Sequence, residues 1–207
     1  MTNPARPSLM ERRAEELRVA IAETARDLFI ADGDTSATVE RICEAVGINP
    51  RTFHRHFPVK EDVIMPLFRV FGTVGLDVLE KADADAEPID TLVRAFTTLI
   101  AERHLEEADR KFMTLIVNNP QYRLRWLDWG EDLREPITDF LASRFDLGDD
   151  VFIRTLPARL IIHTVVLAYM QWVETGDFAQ LEASQRAGIE MILCSLPANS
   201  RAVQSQA

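Results

Sequence analysis

Apolar residues recur three and four positions apart along most of the chain, and this spacing predicts α-helices. In the first long segment, Leu17, Ile21, Ala25 and Phe29 form one apolar stripe, and acidic residues lie mostly off it. No segment shows the sustained apolar and polar alternation that is typical of strands, and only 8 glycines occur among 207 residues. We therefore expect an all-α fold.

Glycine, proline and short polar runs divide the pattern into about nine helices. The first ends near Gly33, and Pro66 lies inside the fourth, where proline favours a kink or a hinge. The tails, residues 1–8 and 197–207, are expected to be disordered. After the first helix, the predicted segments are 39–46, 50–57, 60–81, 89–108, 110–118, 122–145, 149–175 and 178–196.

Several classes of protein are disfavoured by the composition. Cys43 and Cys194 are far apart and fit no metal spacing, so neither a disulfide framework nor a metal site is expected. The amino-terminal sequence lacks the apolar region of a signal peptide. The apolar stretch 156–173 is interrupted by Pro157, Arg159 and His163, so we interpret it as a core helix and expect a cytoplasmic protein without a membrane span.

The most informative segment is 38–57, which carries the signals of a helix-turn-helix. Gly47 allows a turn with positive φ between two short helices. Asn49 can cap the second helix, and Pro50 then occupies the first helical position, where a missing N–H costs nothing. Cys43 is small where the two helices would cross, and we expect it to be buried.

The net charge of −10 argues at first against nucleic acid as a partner, but its distribution does not. Residues 1–60 contain 9 basic and 9 acidic side chains, which leaves 14 basic and 24 acidic in the remainder. No acidic residue occurs from Ala45 to Lys60, a stretch that contains Arg51 and Arg55. The second short helix therefore offers a surface that could face phosphates.

Residues 12–65 resemble the DNA-binding end of the TetR (tetracycline-repressor) family of bacterial regulators. The matching motifs are Thr38-Val39, Ile42-Cys43, Val46-Gly47-Ile48-Asn49, Thr52-Phe53-His54-Arg55-His56-Phe57 and Lys60-Glu61. This chain differs from the family pattern at Asn49, Arg51, Cys43 and His54. The differences leave the fold expectation unchanged but affect the DNA sequence that would be recognised.

The resemblance implies a DNA-binding domain at residues 9–58 and a helical effector-binding and dimerisation domain at residues 59–196. Thr38 and Lys60 would contact phosphate, and the second short helix would enter the major groove. Asn49 could equally serve only as a cap. The predicted DNA-binding residues are Thr38, Asn49, Arg51, Thr52, His54, Arg55, His56 and Lys60.

The remainder of the chain would hold an unknown small-molecule effector and form a homodimer. Trp126, Trp129, His163 and Tyr169 are candidates for the pocket, although the two tryptophans and His163 fit a core role as well. The last two long helices are the candidates for the dimer interface, through Leu160, Leu167, Phe178, Leu181, Ile189 and Ile192.

The sequence thus predicts a homodimeric repressor that a small molecule releases from a palindromic operator of double-stranded DNA. Two alternatives remain open: a dimeric DNA-binding regulator without an effector, and a helical enzyme or carrier with a vestigial helix-turn-helix. The chain carries no phosphate-binding glycine loop, nucleophile elbow or HExxH motif, and no catalytic residue or cofactor is predicted.

Overall fold

A computed structural model describes residues 8–103 and 106–197. All the regular elements in this part of the chain are helical, which confirms the all-α fold class. One 3₁₀ helix, Lys60–Ile64, lies between α3 and α4. The α-helices are α1 Leu9–Asp32, α2 Val39–Val46, α3 Pro50–His56, α4 Met65–Glu80, α5 Pro88–Arg103, α6 Glu106–Asn118, α7 Pro120–Glu131, α8 Arg134–Ala142, α9 Val151–Thr175 and α10 Phe178–Leu193.

The predicted helix over 60–81 is in fact two elements, and the expected kink at Pro66 is wrong. The chain first makes the 3₁₀ helix and then begins α4 at Met65. Pro66 therefore lies in the first turn of α4, where its missing N–H has no intrahelical acceptor to lose. It starts the helix instead of bending it.

The predicted helix over 122–145 is also two helices, which raises the number of α-helices in the described residues to ten. At the junction, Asp132 N–H donates to the Trp129 carbonyl at 3.0 Å and Leu133 N–H donates to the Gly130 carbonyl at 3.1 Å, which tightens the last turn of α7. Pro136 follows in the first turn of α8. This proline was the available signal for the break, because it is compatible with the start of a helix and not with its interior.

The long helix α9 forms the centre of the larger part of the molecule. Ten of its residues, from Pro157 to Val173, are buried against neighbouring helices. By length and composition alone α9 could cross a membrane, but these buried positions make it a core helix, as the sequence predicted. Its other face is exposed and carries the large apolar side chains of Leu160 and Leu167.

Two of the residues predicted for the dimer interface lie instead inside the chain's own core. Leu181 is 1% exposed and Ile189 is fully buried, because this face of α10 packs against α9 and α5. The prediction for these two residues is wrong. Phe178 and Ile192 are half-buried, whereas Leu160 and Leu167 are 45% and 58% exposed.

The ends of the described chain are more ordered than the sequence suggested. Ser8, predicted to belong to a disordered tail, caps α1 through a reciprocal pair of hydrogen bonds with Glu11. Pro197 accepts a hydrogen bond from the Asp146 N–H at 3.0 Å. The rest of both predicted tails, residues 1–7 and 198–207, lies outside the described residues, and the division into two domains stays a prediction.

Candidate nucleic-acid interface

Helices α2 and α3 pack against the rest of the molecule through apolar side chains. Ile42, Cys43 and Phe53 are buried, and they belong to the same apolar core cluster as the buried Phe29 of α1. Burial raises the pKa of the Cys43 thiol, which fits the small packing role predicted for it. Because the buried residues occupy the inner face of α3, the remaining residues of this helix face outward.

The turn between α2 and α3 is built by local backbone chemistry. Gly47 adopts a φ of 79°, and its N–H donates to the Cys43 carbonyl at 2.9 Å, which closes α2. Thr38 caps α2 by accepting from Arg41 N–H at 3.2 Å, and Asn49 caps α3 by accepting from Thr52 N–H at 2.8 Å. The predicted helix-turn-helix geometry is confirmed.

Five of the eight predicted DNA-binding residues are exposed, and whether any of the eight contacts DNA stays a prediction. Arg51 and Arg55 are exposed, and no carboxylate of the described residues lies within ion-pair distance of either guanidinium. The exposed set is Thr38, Asn49, Arg51, His54 and Arg55, and the half-buried set is Thr52, His56 and Lys60.

Arg18 of α1 contributes to this surface and was missed at the sequence level. Its guanidinium donates to the carbonyl of His56, the last residue of α3, at 3.1 Å. A cation at a helix carboxyl terminus stabilises the exposed carbonyls there. Burial, followed by the charges of Arg55 and Arg18, lowers the pKa of His56, which favours the neutral imidazole.

Lys60 is held by contacts within the protein. Its ammonium group donates to the Thr35 carbonyl at 2.8 Å and lies 5.8 Å from the centre of the Phe29 ring. An ammonium group has three donors, so this contact leaves two for other acceptors. Thr35 lies in the connection between α1 and α2, which places Lys60 beside the amino terminus of α2.

A cavity of about 350 Å³ lies in the larger part of the molecule. Its walls are mostly apolar, with seven aromatic rings among its twenty lining residues, and the hydroxyl of Tyr169 is satisfied by donating to the Phe96 carbonyl at 2.7 Å. Helix α1 also contributes to the cavity. The lining residues are Val19, Glu23, Arg26, Leu67, Phe68, Val70, Phe71, Phe96, Ile100, Asp109, Phe112, Met113, Trp126, Trp129, Gly130, Leu133, Ile162, Val165, Val166 and Tyr169.

Three of the four residues predicted for a pocket line this cavity: Trp126, Trp129 and Tyr169. The prediction for His163 is wrong. Ile162 and Val166 of α9 face the cavity, whereas His163 is exposed on the opposite face of the same helix with Leu160 and Leu167. One helical position turns a side chain by about 100°, which moves His163 out of the cavity wall.

Comparisons with known proteins agree with this architecture. Residues 21–65 match the model described as bacterial regulatory proteins, tetR family. The chain is 30% identical over 158 residues to the transcriptional regulator TcmR of Streptomyces glaucescens, covering 72% of this chain and 70% of TcmR. It is 34% identical over 192 residues to the Escherichia coli regulator UidR, covering 89% of this chain and 94% of UidR.

The fold is also that of solved members of the family. Thermus thermophilus FadR, a TetR-family repressor solved with lauroyl-CoA, superposes with a TM-score of 0.58 at 19% identity over 85% of this chain and 93% of FadR. The capped helix-turn-helix, the similarity of most of the chain to TcmR and UidR, and the shared fold lead to one conclusion. This protein belongs to the TetR family of bacterial regulatory proteins and is a DNA-binding transcriptional regulator.

Proposed function

We propose that the protein is a homodimeric repressor that binds a palindromic operator through α3 and leaves it when a small molecule occupies the cavity. The main support for this proposal is the exposed face of α3, which carries Arg51 and Arg55 and contains no acidic residue. A capped turn holds this helix in place. In this proposal the smaller domain, residues 9–58, reads DNA, and residues 59–196 bind the effector and the second subunit.

The proposed contacts divide by chemistry. Thr38, at the amino terminus of α2, and Lys60 bind phosphate, which fixes the position of the protein on the duplex. Arg51 enters the major groove, where a guanidinium can bridge O6 and N7 of guanine. Asn49, Thr52, His54, Arg55 and His56 complete the contact surface.

Footprinting with the purified full-length protein tests this step. On genomic fragments that include the DNA upstream of its own coding region, we expect a protected palindrome with half-sites about one helical turn apart. At the lowest concentration of wild-type protein that gives full protection, Arg51→Ala should protect less. Arg123→Ala, which removes an exposed arginine of α7, is the matched control and should retain it. Absence of any protected palindrome in the genome would contradict the proposal.

The proposed dimer interface is the exposed apolar face of α9 and α10. Ile153, Leu160 and Leu167 are seven residues apart, and 55%, 45% and 58% of their surfaces are exposed. Met191 of α10 is 76% exposed. Several exposed large apolar side chains on neighbouring helices are unfavourable in water, and a second copy would cover them.

Light scattering after size exclusion tests the dimer. Leu160→Glu together with Leu167→Glu should yield a monomer, because two carboxylates would be buried at the interface without partners. Leu124→Glu changes a leucine of α7 that is 61% exposed and should leave the dimer intact. A dimer that survives the double substitution would contradict this assignment.

The proposed effector is a largely apolar molecule with an aromatic group. The cavity is within the size range of small-molecule sites, and its stacked and edge-on rings suit an aromatic ligand; Phe68 and Trp129, for example, lie 5.5 Å apart between ring centres. Occupancy acts on DNA binding only if the ligand prefers one of two conformations.

The fluorophore N-phenyl-1-naphthylamine, which is apolar and aromatic, serves as a probe of the cavity. We expect saturable fluorescence with the wild-type protein and loss of binding in Val166→Phe, which fills part of the cavity. Val151→Phe, at an exposed position outside the cavity, should bind the probe normally. Equal binding by both variants would place the probe elsewhere.

We further infer that the protein acts in the cytoplasm, where its DNA is, as a regulator without enzymatic activity.

A further inference from the structure

The amide of Asn119 joins two parts of the molecule. Its oxygen caps α7 by accepting from the N–H groups of Gln121 at 3.0 Å and Tyr122 at 3.4 Å. Its nitrogen donates to the hydroxyl of Thr35 at 2.9 Å. The cap fixes the orientation of the amide, because only the oxygen can accept from backbone N–H groups. Asn119 thus connects the start of α7 to a residue 84 positions earlier.

Each end of this connection leads to a different functional element. Thr35 lies three residues before Thr38, the cap of α2, and its carbonyl also accepts from Lys60. At the other end, Trp126, Trp129 and the adjacent Gly130 of α7 line the cavity. One short helix therefore contacts the cavity with its carboxyl-terminal half and the entry to α2 with its amino-terminal cap.

Two further contacts hold α7 against the same region. The ring of Tyr122 meets that of Phe29 edge-on, with 5.6 Å between centres, and Arg125 pairs with Asp62 at 2.9 Å. An apolar ring contact and a long arginine side chain can adjust to a small shift of α7. The hydrogen bond between the short side chains of Asn119 and Thr35 cannot, since it is lost once its atoms are more than about 3.5 Å apart.

We propose that Asn119 is a positioning residue, which sets the orientation of α2 and α3 relative to the cavity helix α7 through its hydrogen bond to Thr35. The proposal rests on the proposed DNA-binding function. Both half-sites of a palindrome must be matched at once, so the two reading surfaces of a dimer need a fixed orientation before they bind. Without the bond, the reading surfaces must be fixed in orientation while they bind, and the free energy that this requires lowers the affinity for the operator.

Four single variants test this role. Asn119→Ser keeps a good helix cap but removes the amide donor. Thr35→Val removes the acceptor and keeps the shape of the side chain. Thr35→Ser restores the hydroxyl and serves as the rescue variant. Thr73→Val, at an exposed threonine of α4, is the matched control.

We expect the dissociation constant for the full operator to rise about tenfold in Asn119→Ser and in Thr35→Val, because a dimer loses one such bond in each subunit. The double variant should be no weaker than either single variant, since both remove the same bond. Thr35→Ser and Thr73→Val should bind as the wild type does. A DNA with one half-site should show a smaller loss, which a general loss of folding would not produce.

The proposal is overturned if both single variants bind the operator normally, if their losses add in the double variant, or if Thr35→Ser is as weak as Thr35→Val. These outcomes presuppose a wild-type protein that binds its operator. A wild-type protein without sequence-specific binding would instead contradict the proposed function.

Discussion

Replacement of Asn49 separates its two candidate roles, as a helix cap and as a contact to a base. Its side-chain oxygen accepts from Thr52 N–H at 2.8 Å, while the side chain remains exposed. Asn49→Ala removes this acceptor from a helix of only 7 residues. Asn49→Ser keeps a capping oxygen but shortens the side chain and removes its amide.

The expected cost of Asn49→Ala is about 1 kcal/mol in the free energy of unfolding, the usual value of a capping side chain. The Thr52 N–H also approaches the Asn49 carbonyl at 3.0 Å, which argues against a much larger loss. In a chain of this size, 1 kcal/mol corresponds to a fall in Tm of about 2–4 °C. Asn49→Ser should cost only a few tenths of that free energy, because serine ranks with asparagine as a cap.

Urea unfolding at one fixed protein concentration measures the first effect, since the stability of a dimer depends on concentration. Operator binding measures the second. We predict that Asn49→Ser retains its stability but loses about 1–3 kcal/mol of binding free energy at one base pair of each half-site. Equal destabilisation by serine and alanine would refute the cap. Normal operator binding by Asn49→Ser would refute the base contact.

Three further outcomes are expected. Arg51→Ala should weaken operator binding by about 1–3 kcal/mol and relax the preference at one base pair per half-site, whereas uniform weakening on all DNA would make Arg51 a phosphate contact. Gly75→Ala should destabilise the fold by about 1–3 kcal/mol in urea unfolding, because its Cβ would lie 2.6 Å from the Ala95 carbonyl oxygen; unchanged stability would contradict that packing. The NMR titration of His56 should have its midpoint below about 6.5. Because the unfolded chain then binds a proton more readily than the folded one, the free energy of unfolding should decrease as the pH falls through about 6.5. A higher midpoint would contradict the burial of His56.

The helix-turn-helix could be predicted closely because its signals are local. Gly47 is needed for positive φ, Asn49 for the cap and Pro50 for the first turn, and each acts within three or four residues of its own position. Interactions over so short a range can be predicted from the sequence alone. The break between α7 and α8 was equally local, at Pro136, but the apolar spacing on either side concealed it.

The faces of α9 and α10 could not be assigned in the same way. Both helices are apolar around much of their circumference, so spacing alone does not distinguish the core face from the exposed one. For this reason the spacing does not show that His163 faces away from the pocket or that Leu181 and Ile189 are buried. Which face is buried depends on the helices packed against them, and these include α5 and α6, which are distant in sequence. Arg18 and Asn119 were missed because their partners lie 38 and 84 residues away.

Hydroxyl-radical footprinting of the full-length protein on its operator tests whether two copies of α3 bind DNA together. We predict two protected patches on one face of the duplex, with centres about 34–36 Å apart, as expected for two copies of α3 in successive major grooves. Arg51→Ala should weaken the protection of both patches together. Protection of a single patch, or binding that is equal on all sequences, would show that the protein does not bind an operator as a dimer through α3.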